Sequence, residues 1–320
     1  MSDSSATIAP NFPAGLGRFS TQNGLLRAQL HDGPEGLDIA IAGIPFDDGS
    51  YIGTGQRYGP NQAREFSWIV RPIHSLSGRA PFDLCRIADI GDAPIDSMNP
   101  EKSIKNATNF FAQVAKAGAA PLGIGGDHTV TLPIMRGMAQ GGVDVPFGMI
   151  HFDAHPDTYD DVDGIRVNCA TIFRRGIEEG LIDPERYVMI GIRVMYDIAC
   201  LDWAKDQGVT VITDDDCAAL GRQGVIDKAR AVVGDGPTFV SFDIDGLDMA
   251  YVRGTQSPEP GELSVKDAMA ILRGFSGLDV IGGDVVELLP PKDPSGHTAI
   301  ATLNIAFEIL CLIAESRARR

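Results

Sequence analysis

Three short runs rich in aspartate and histidine stand at the ends of apolar stretches in this 320-residue chain. Pro121-Leu122-Gly123-Ile124 leads into Gly125-Gly126-Asp127-His128, and Pro146 to Ile150 leads into His151-Phe152-Asp153-Ala154-His155-Pro156-Asp157. Pro237 to Phe242 leads into Asp243-Ile244-Asp245-Gly246-Leu247-Asp248. On an extended chain a spacing of two puts side chains on one side, so Asp153, His155 and Asp157 converge, as do Asp243 and Asp245. Carboxylates gathered this closely repel one another unless cations neutralise them. Four aspartates with two histidines make an oxygen-rich, nitrogen-supplemented donor set. It suits two divalent ions, Mn²⁺ first with Ni²⁺ not excluded, and is too hard for a thiolate metal site. Two such ions about 3.5–4 Å apart share a water and acidify it towards neutrality, which supplies a hydroxide nucleophile without serine or cysteine. His128 and Asp153 are assigned to one ion and His155 to the other, with Asp157, Asp243 and Asp245 completing or bridging the pair. His151 is in phase with these residues but still inside the strand, and reads as a packed histidine behind them.

The apolar runs that must hold these residues are short and alternate with segments of helical length. The strands are expected at 38–44, 119–124, 147–152, 187–192, 209–213, 238–242 and 280–283. Helices are expected at 103–117, 129–139, 197–207, 224–233 and 264–273, the last opened by Ser264 as N-cap and stopped by Gly274. Runs without polar alternation imply strands covered on both faces, and their alternation with helices implies a parallel sheet in a three-layer α/β/α fold. In such sheets ligands sit beyond the carboxyl ends of the strands, where the three polar runs lie. Residues 1–35 read as an N-terminal arm and 36–320 as one catalytic domain, since no linker or repeat divides the chain.

With 27 basic against 43 acidic residues the formal net charge is −16. No basic stripe exists to neutralise phosphates, so neither nucleic acid nor an anionic membrane is an expected partner. Residues 1–19 lack the basic and apolar regions of a signal peptide. The longest apolar stretch, 298–314, contains Asn304 and Glu308 and reads as a buried C-terminal helix. Five scattered cysteines with no C-x-x-C pair fit reduced thiols and a cytoplasmic protein.

Taken in order, the motifs resemble the ureohydrolase family of arginases and agmatinases, closest to its agmatinase-like branch, which includes guanidinobutyrases and guanidinopropionases. The resemblance runs from about Gly43 to the end through Gly43-Ile44-Pro45-Phe46-Asp47, Gly59-Pro60-Asn61-Gln62-Ala63-Arg64, Ile90-Gly91-Asp92, the three polar runs, and Asp284-Val285-Val286-Glu287. It implies a mainly parallel sheet of about eight strands and two Mn²⁺ ions held by His128, Asp153, His155, Asp157, Asp243 and Asp245. It also implies that Glu287 pairs with a substrate guanidinium, and that the protein assembles as a trimer or hexamer. A carboxylate there accepts two parallel N–H bonds from a planar cation and fixes its carbon for attack.

The departures from the family pattern fall around the pocket. Where relatives carry His-Gly-Thr, with the histidine as proton shuttle, this chain has Cys169-Ala170-Thr171 after Asn168; a thiol titrates near ~8.5 and an imidazole near ~6.5. The usual Asp-Pro-Ala-(Phe/Tyr)-Ala-Pro-Gly-Thr-Gly is Asp248-Met249-Ala250-Tyr251-Val252-Arg253-Gly254-Thr255-Gln256, and Pro156 replaces a threonine. Asp157, Glu287 and Cys169 are therefore the expected catalytic residues, and Glu287, Asn168, Arg253 and Gln256 the expected substrate contacts. The expected activity is hydrolysis of a small cationic guanidino compound to urea and an amine by a metal-bridging hydroxide. Candidate substrates are a guanidino acid, agmatine, a small or alkylated guanidine, or a biguanide, with arginine disfavoured. The alternative is a weakly active or non-catalytic subunit in a mixed oligomer with a paralogue.

Overall fold

Alternate residues of each apolar run face opposite sides of a sheet, and here both sides are dry. Ile39, Ile41, Leu122, Ile124, Ile150, Phe152, Val240 and Phe242 enter one core. Ala40, Ala42, Ile44, Phe147, Met149, Tyr187, Met189 and Phe239 enter the other. Ring pairs tie neighbouring strands on each side, Phe152 on Phe242 with centroids 4.8 Å apart and Phe147 on Phe239 at 6.2 Å. This is why the strands read as unbroken apolar runs.

The computed structural model describes residues 24–74 and 77–320. Its strands are β1 (Gln29–Leu30), β2 (Ile39–Ile44), β3 (Ile87–Asp92), β4 (Ala120–Gly125), β5 (Phe147–Phe152), β6 (Ile182–Ile192), β7 (Thr210–Thr213), β8 (Thr238–Asp243) and β9 (Val280–Val286). Helices α1 (Gly59–Phe66), α2 (Pro81–Leu84), α3 (Pro100–Lys116), α4 (Thr131–Gln140), α5 (Ile172–Glu178), α6 (Ala199–Asp206), α7 (Asp214–Val233), α8 (Val265–Gly274) and α9 (His297–Ala318) lie between and after them. The sheet runs β1-β3-β2-β4-β9-β8-β5-β6-β7, and every pairing is parallel. The three-layer α/β/α architecture is as expected, with nine strands among the described residues where about eight were expected.

The differences have physical causes. The strand β3 was not read from hydropathy because Asp89 and Asp92 interrupt it; the buried Asp89 is tolerated there because Arg64 Nε donates to its Oδ2 at 2.9 Å while Arg64 Nη1 reaches Asp92 Oδ1 at 2.7 Å. The helix α7 begins at Asp214 instead of Gly224, opened by a capping box in which Thr213 Oγ1 accepts from Asp216 N at 3.1 Å and Asp216 Oδ2 accepts from Thr213 N at 3.0 Å. A non-helical Gly221 (φ +62°) interrupts its pattern. Within the segment assigned to the arm, Leu25, Leu26 and Arg27 are buried and β1 pairs with β3, so the described part of it is built into the sheet. The first 23 residues of the arm lie outside the described residues. The helix α9 is long and apolar enough to cross a membrane by length and composition, but 83% of that stretch is buried against the sheet and α8, as a core helix.

Candidate metal centre

The four strands that end in chemistry are sheet neighbours, in the order β4, β9, β8, β5. Their carboxyl ends deliver His128, Glu287, Asp243 with Asp245, and Asp153 with His155 and Asp157 to one place. The turn after β4 passes directly over the backbone at Phe46: a Cβ on Gly126 would lie 1.7 Å from Phe46 O, so only glycine lets the chain reach His128. Among the described non-glycine residues five have positive φ, and two are at this site, Asp157 (+49°) and Glu287 (+67°). Such conformations persist where surrounding contacts over-determine them.

The side chains form two adjoining clusters. His128 Nδ1 lies 3.1 Å from Asp153 Oδ2, 3.1 Å from Asp157 Oδ2 and 3.1 Å from Asp243 Oδ2. His155 Nδ1 lies 3.3 Å from Asp153 Oδ1 and 3.3 Å from Asp245 Oδ2. Asp153 thus faces both histidines with different oxygens. Asp243 joins the clusters through Asp245, whose backbone N donates to Asp243 Oδ1 at 2.8 Å. All six are buried except His155, whose side chain is 21% exposed and marks the open side.

The hydrogen-bond network behind His128 tests whether a cation fits. Asp284, buried and pushed up to about 6 by that burial, is ionised at neutral pH and accepts from Ser241 Oγ at 2.7 Å. The serine has then spent its one hydrogen, so across its 3.0 Å contact with His128 Nε2 it accepts, and Nε2 carries the proton. His128 Nδ1 is buried, makes no hydrogen bond and faces three carboxylate oxygens. Burial opposes charge on this ring, yet Asp153, Asp157 and Asp243 hold its pKa well above the imidazole range, so they draw positive charge to Nδ1. One divalent ion meets that demand for all three oxygens together, and nitrogen with carboxylate oxygen is the donor set such an ion takes. The residues around His128 thus fit one divalent ion, and His155 with Asp153 and Asp245 offers the same donor types for a second.

His151 does what its place in the strand suggests. Its Nε2 donates to Asp153 Oδ2 at 2.8 Å, its Nδ1 accepts from Tyr187 OH at 2.9 Å, and burial depresses its pKa to about 4. A neutral imidazole therefore orients Asp153, with Phe173 against its ring at 4.0 Å. Burial alone would raise the Asp153 carboxyl, but the imidazoles of His128, His151 and His155 against it hold it well below the usual range. Asp243 goes the other way, pushed well up by burial and by Asp245 and Asp153. Glu287 is bracketed beside the clusters: its Oε1 accepts from His128 N at 2.9 Å, its Oε2 accepts from Gln56 Nε2 at 2.9 Å, and burial with nearby Asp127 pushes its pKa up to about 8.

Around this centre the structure separates the remaining residues singled out from sequence. Cys169 is buried with its thiol 3.8 Å from Gln256 Nε2; burial and the carboxylates of Glu287, Asp127 and Asp157 push its pKa well up, so it stays a neutral thiol. Gln256 is buried and its Oε1 accepts from Gly53 N at 3.4 Å. Asn168 spends its amide in its own turn, Oδ1 accepting from Ala170 N at 3.0 Å and Nδ2 donating to Ile165 O at 2.7 Å. Arg253 is exposed on the loop above Thr298. Three residues at the site carried no sequence signal. Gln56 is a lone amide, Tyr187 opens an apolar run that reads as a strand, and Phe173 lies in a segment where the sequence predicts no element. Asp127 stood inside a noted motif, but its role emerges only here: Oδ2 accepts from Gly49 N at 2.9 Å and Oδ1 from Thr129 N at 2.9 Å, fixing the loop after β2.

The Arginase family profile matches residues 37–312. A guanidinopropionase of Pseudomonas aeruginosa is 43% identical over 308 residues, covering 96% of this chain and 96% of that protein. A guanidinobutyrase of the same organism is 38% identical, covering 93% of each. The solved proclavaminate amidino hydrolase of Streptomyces clavuligerus superposes with a TM-score of 0.89 at 34% identity, over 94% of this chain and 100% of that one. Profile, relatives and fold agree over almost the whole chain, which belongs to the arginase family.

Proposed function

We propose that this protein hydrolyses the amidine C–N bond of a guanidino compound, releasing urea and an amine. The observation that carries the proposal is the pair of histidine–carboxylate clusters sharing Asp153, with the Glu287 carboxylate bracketed beside them. His128, Asp153, Asp157 and Asp243 would hold one divalent ion, and His155, Asp153, Asp243 and Asp245 the other; when bound, the pair supplies Lewis acidity and an acidified water. Glu287 receives guanidinium N–H groups and aims the carbon at that water. Asp157 is assigned the further task of holding the proton released as water adds. The departing nitrogen must gain a proton. Cys169, a neutral thiol with a raised pKa, is a reluctant donor where relatives are expected to carry an imidazole.

Mn²⁺ is the first metal to test and Ni²⁺ the second. Chemically the substrate carries a cationic guanidinium group, which suits the acidic pocket, and the relatives' names favour guanidino acids and agmatine. Five free, buried cysteines support a reducing cytoplasmic setting, and a trimer or hexamer is the assembly proposed by likeness to the family. The altered Cys169 supports one second reading, a weakly active subunit that works beside a paralogue; the full ligand set weighs against it.

The test is urea release by protein of measured metal content, loaded separately with Mn²⁺ or Ni²⁺. The compounds are agmatine, 4-guanidinobutyrate, 3-guanidinopropionate, arginine, guanidine, dimethylguanidine and a biguanide. Urea from one of them with about two ions per chain is the expected result. Two ions bound with no urea from any compound, alone or with a co-expressed paralogue, would rule the proposal out.

A further inference from the structure

Glu287 can aim a guanidinium only if its own carboxylate is held, and the second holder is a side chain from far away in sequence. Gln56 is fully buried, and its Nε2 donates to Glu287 Oε2 at 2.9 Å. A bound guanidinium favours the ionised form of Glu287, and a carboxylate only accepts, so the NH₂ end of the amide must then face it, which fixes the orientation of Gln56. Nε2 also lies 3.1 Å from Ser50 Oγ and 3.2 Å from Gly53 O, so the same nitrogen ties Glu287 to the loop after β2.

That loop is pressed onto the segment that follows Glu287. Gly55 has φ +131°, and a Cβ there would lie 2.7 Å from Leu289 Cδ1 and 2.9 Å from Pro291. Asp47 Oδ2 accepts from Gly55 N at 2.6 Å and from Arg57 N at 3.2 Å, which holds the turn that presents Gln56. The loop also carries Gly49 and Ser50 against Asp127, and Gly53 against Gln256 beside Cys169. Gln56 Oε1 is buried and makes no hydrogen bond, an acceptor to spare next to the carboxylate.

We propose that Gln56 is a positioning residue for guanidinium recognition, fixing the Glu287 carboxylate from the side opposite His128. The proposal rests on the reading of Glu287 given above. Because Gln56 acts through Glu287, the two substitutions must be non-additive. The variants are Gln56→Met, which keeps volume and removes the amide, Glu287→Gln, and the double substitution. Each is prepared as the full chain loaded with Mn²⁺, its metal content is measured, and it is titrated calorimetrically with guanidinium chloride as the probe.

Gln56→Met should weaken guanidinium binding roughly 10- to 100-fold, the scale of one hydrogen bond to a charged group, with metal content unchanged. In the Glu287→Gln background it should change binding little. With any compound that yields urea, the loss in kcat/KM should show the same coupling. Equal losses in both backgrounds, or none in either, would overturn the proposal. Should Gln56→Met not fold, Gln56→Asn takes its place with the same coupling expected. A wild-type protein that binds guanidinium but releases no urea removes the proposed activity and leaves this cycle readable. One that binds no guanidinium overturns both.

Discussion

Replacing Asp245 by asparagine should make the metal-stripped protein more stable and the metal-loaded protein inactive. Asp245 is buried, and burial raises its pKa; His155 offsets this in part, and Asp153 adds to it. The carboxylate is therefore worse placed in the folded than in the unfolded chain unless a cation neutralises it. Asparagine keeps the shape and the acceptor for Ala154 N, which reaches Asp245 Oδ1 at 3.4 Å, but loses the charge. Relief should be about 1–3 kcal/mol, the scale for a buried polar group whose partners do not compensate it. An unfolding entropy of ~2.1 cal/mol/K per residue gives a chain of this length about 1.5 °C per kcal/mol, a rise of roughly 1.5–4.5 °C in Tm. With Mn²⁺ the order reverses, because the cluster around His155 has lost an anionic ligand. Bound metal should fall from about two ions per chain to about one, and urea release by at least ~100-fold. Thermal melts with and without chelator, elemental analysis after dialysis, and a urea assay read all three quantities. A stripped variant no more stable than the parent, or a loaded one with two ions and undiminished activity, would refute the charge argument.

Other substitutions probe separate links. Cys169→His should raise kcat for the preferred compound or change which compound is preferred, since an imidazole titrates near ~6.5; an unchanged panel would mean that this position does not face the leaving group. Gly126→Ala should abolish metal binding or folding, as its Cβ would meet Phe46 O at 1.7 Å, whereas Gly118→Ala, with φ +80° and open space, should cost only about 1 kcal/mol by chemical denaturation. Equal losses at the two positions would contradict the close-approach argument. Phe242→Ala should cost about 3–5 kcal/mol, because the ring is buried and stacked on Phe152; a loss below ~1 kcal/mol would mean that this layer repacks readily.

The convergence of ligands was legible because each lies just past a strand whose apolar run is unmistakable, and a spacing of two survives into the folded turn. The strand β3 was not legible from hydropathy because Asp89 is buried only by virtue of Arg64, and a pairing across 25 residues leaves no local pattern. The start of α7 was hidden by three aspartates and Gly221, although Thr213 with Asp216 is a capping signal that a search for capping pairs would find. Around the pocket the limit is sharper. Asn168 and Gln256 are both amides next to departures from the family pattern, yet one is spent inside its own turn and the other reaches the thiol of Cys169. Side-chain direction in loops depends on where the backbone hydrogen bonds go, and sequence spacing does not encode that.

The order of strands carries a consequence for when this protein becomes itself. The strands β4 and β5 follow one another in the chain but do not touch in the sheet; β9 and β8, formed from the last third of the sequence, lie between them. Without those two, β4 and β5 share no sheet ladder, so the sheet itself does not set His128 against Asp153, His155 and Asp157. A chain made only as far as the fourth of the six donors therefore lacks both strands that stand between the two halves of the centre. Ions bound across β4, β8 and β5 would act as a rivet through the middle of the sheet, linking metal capture to completion of the whole polypeptide.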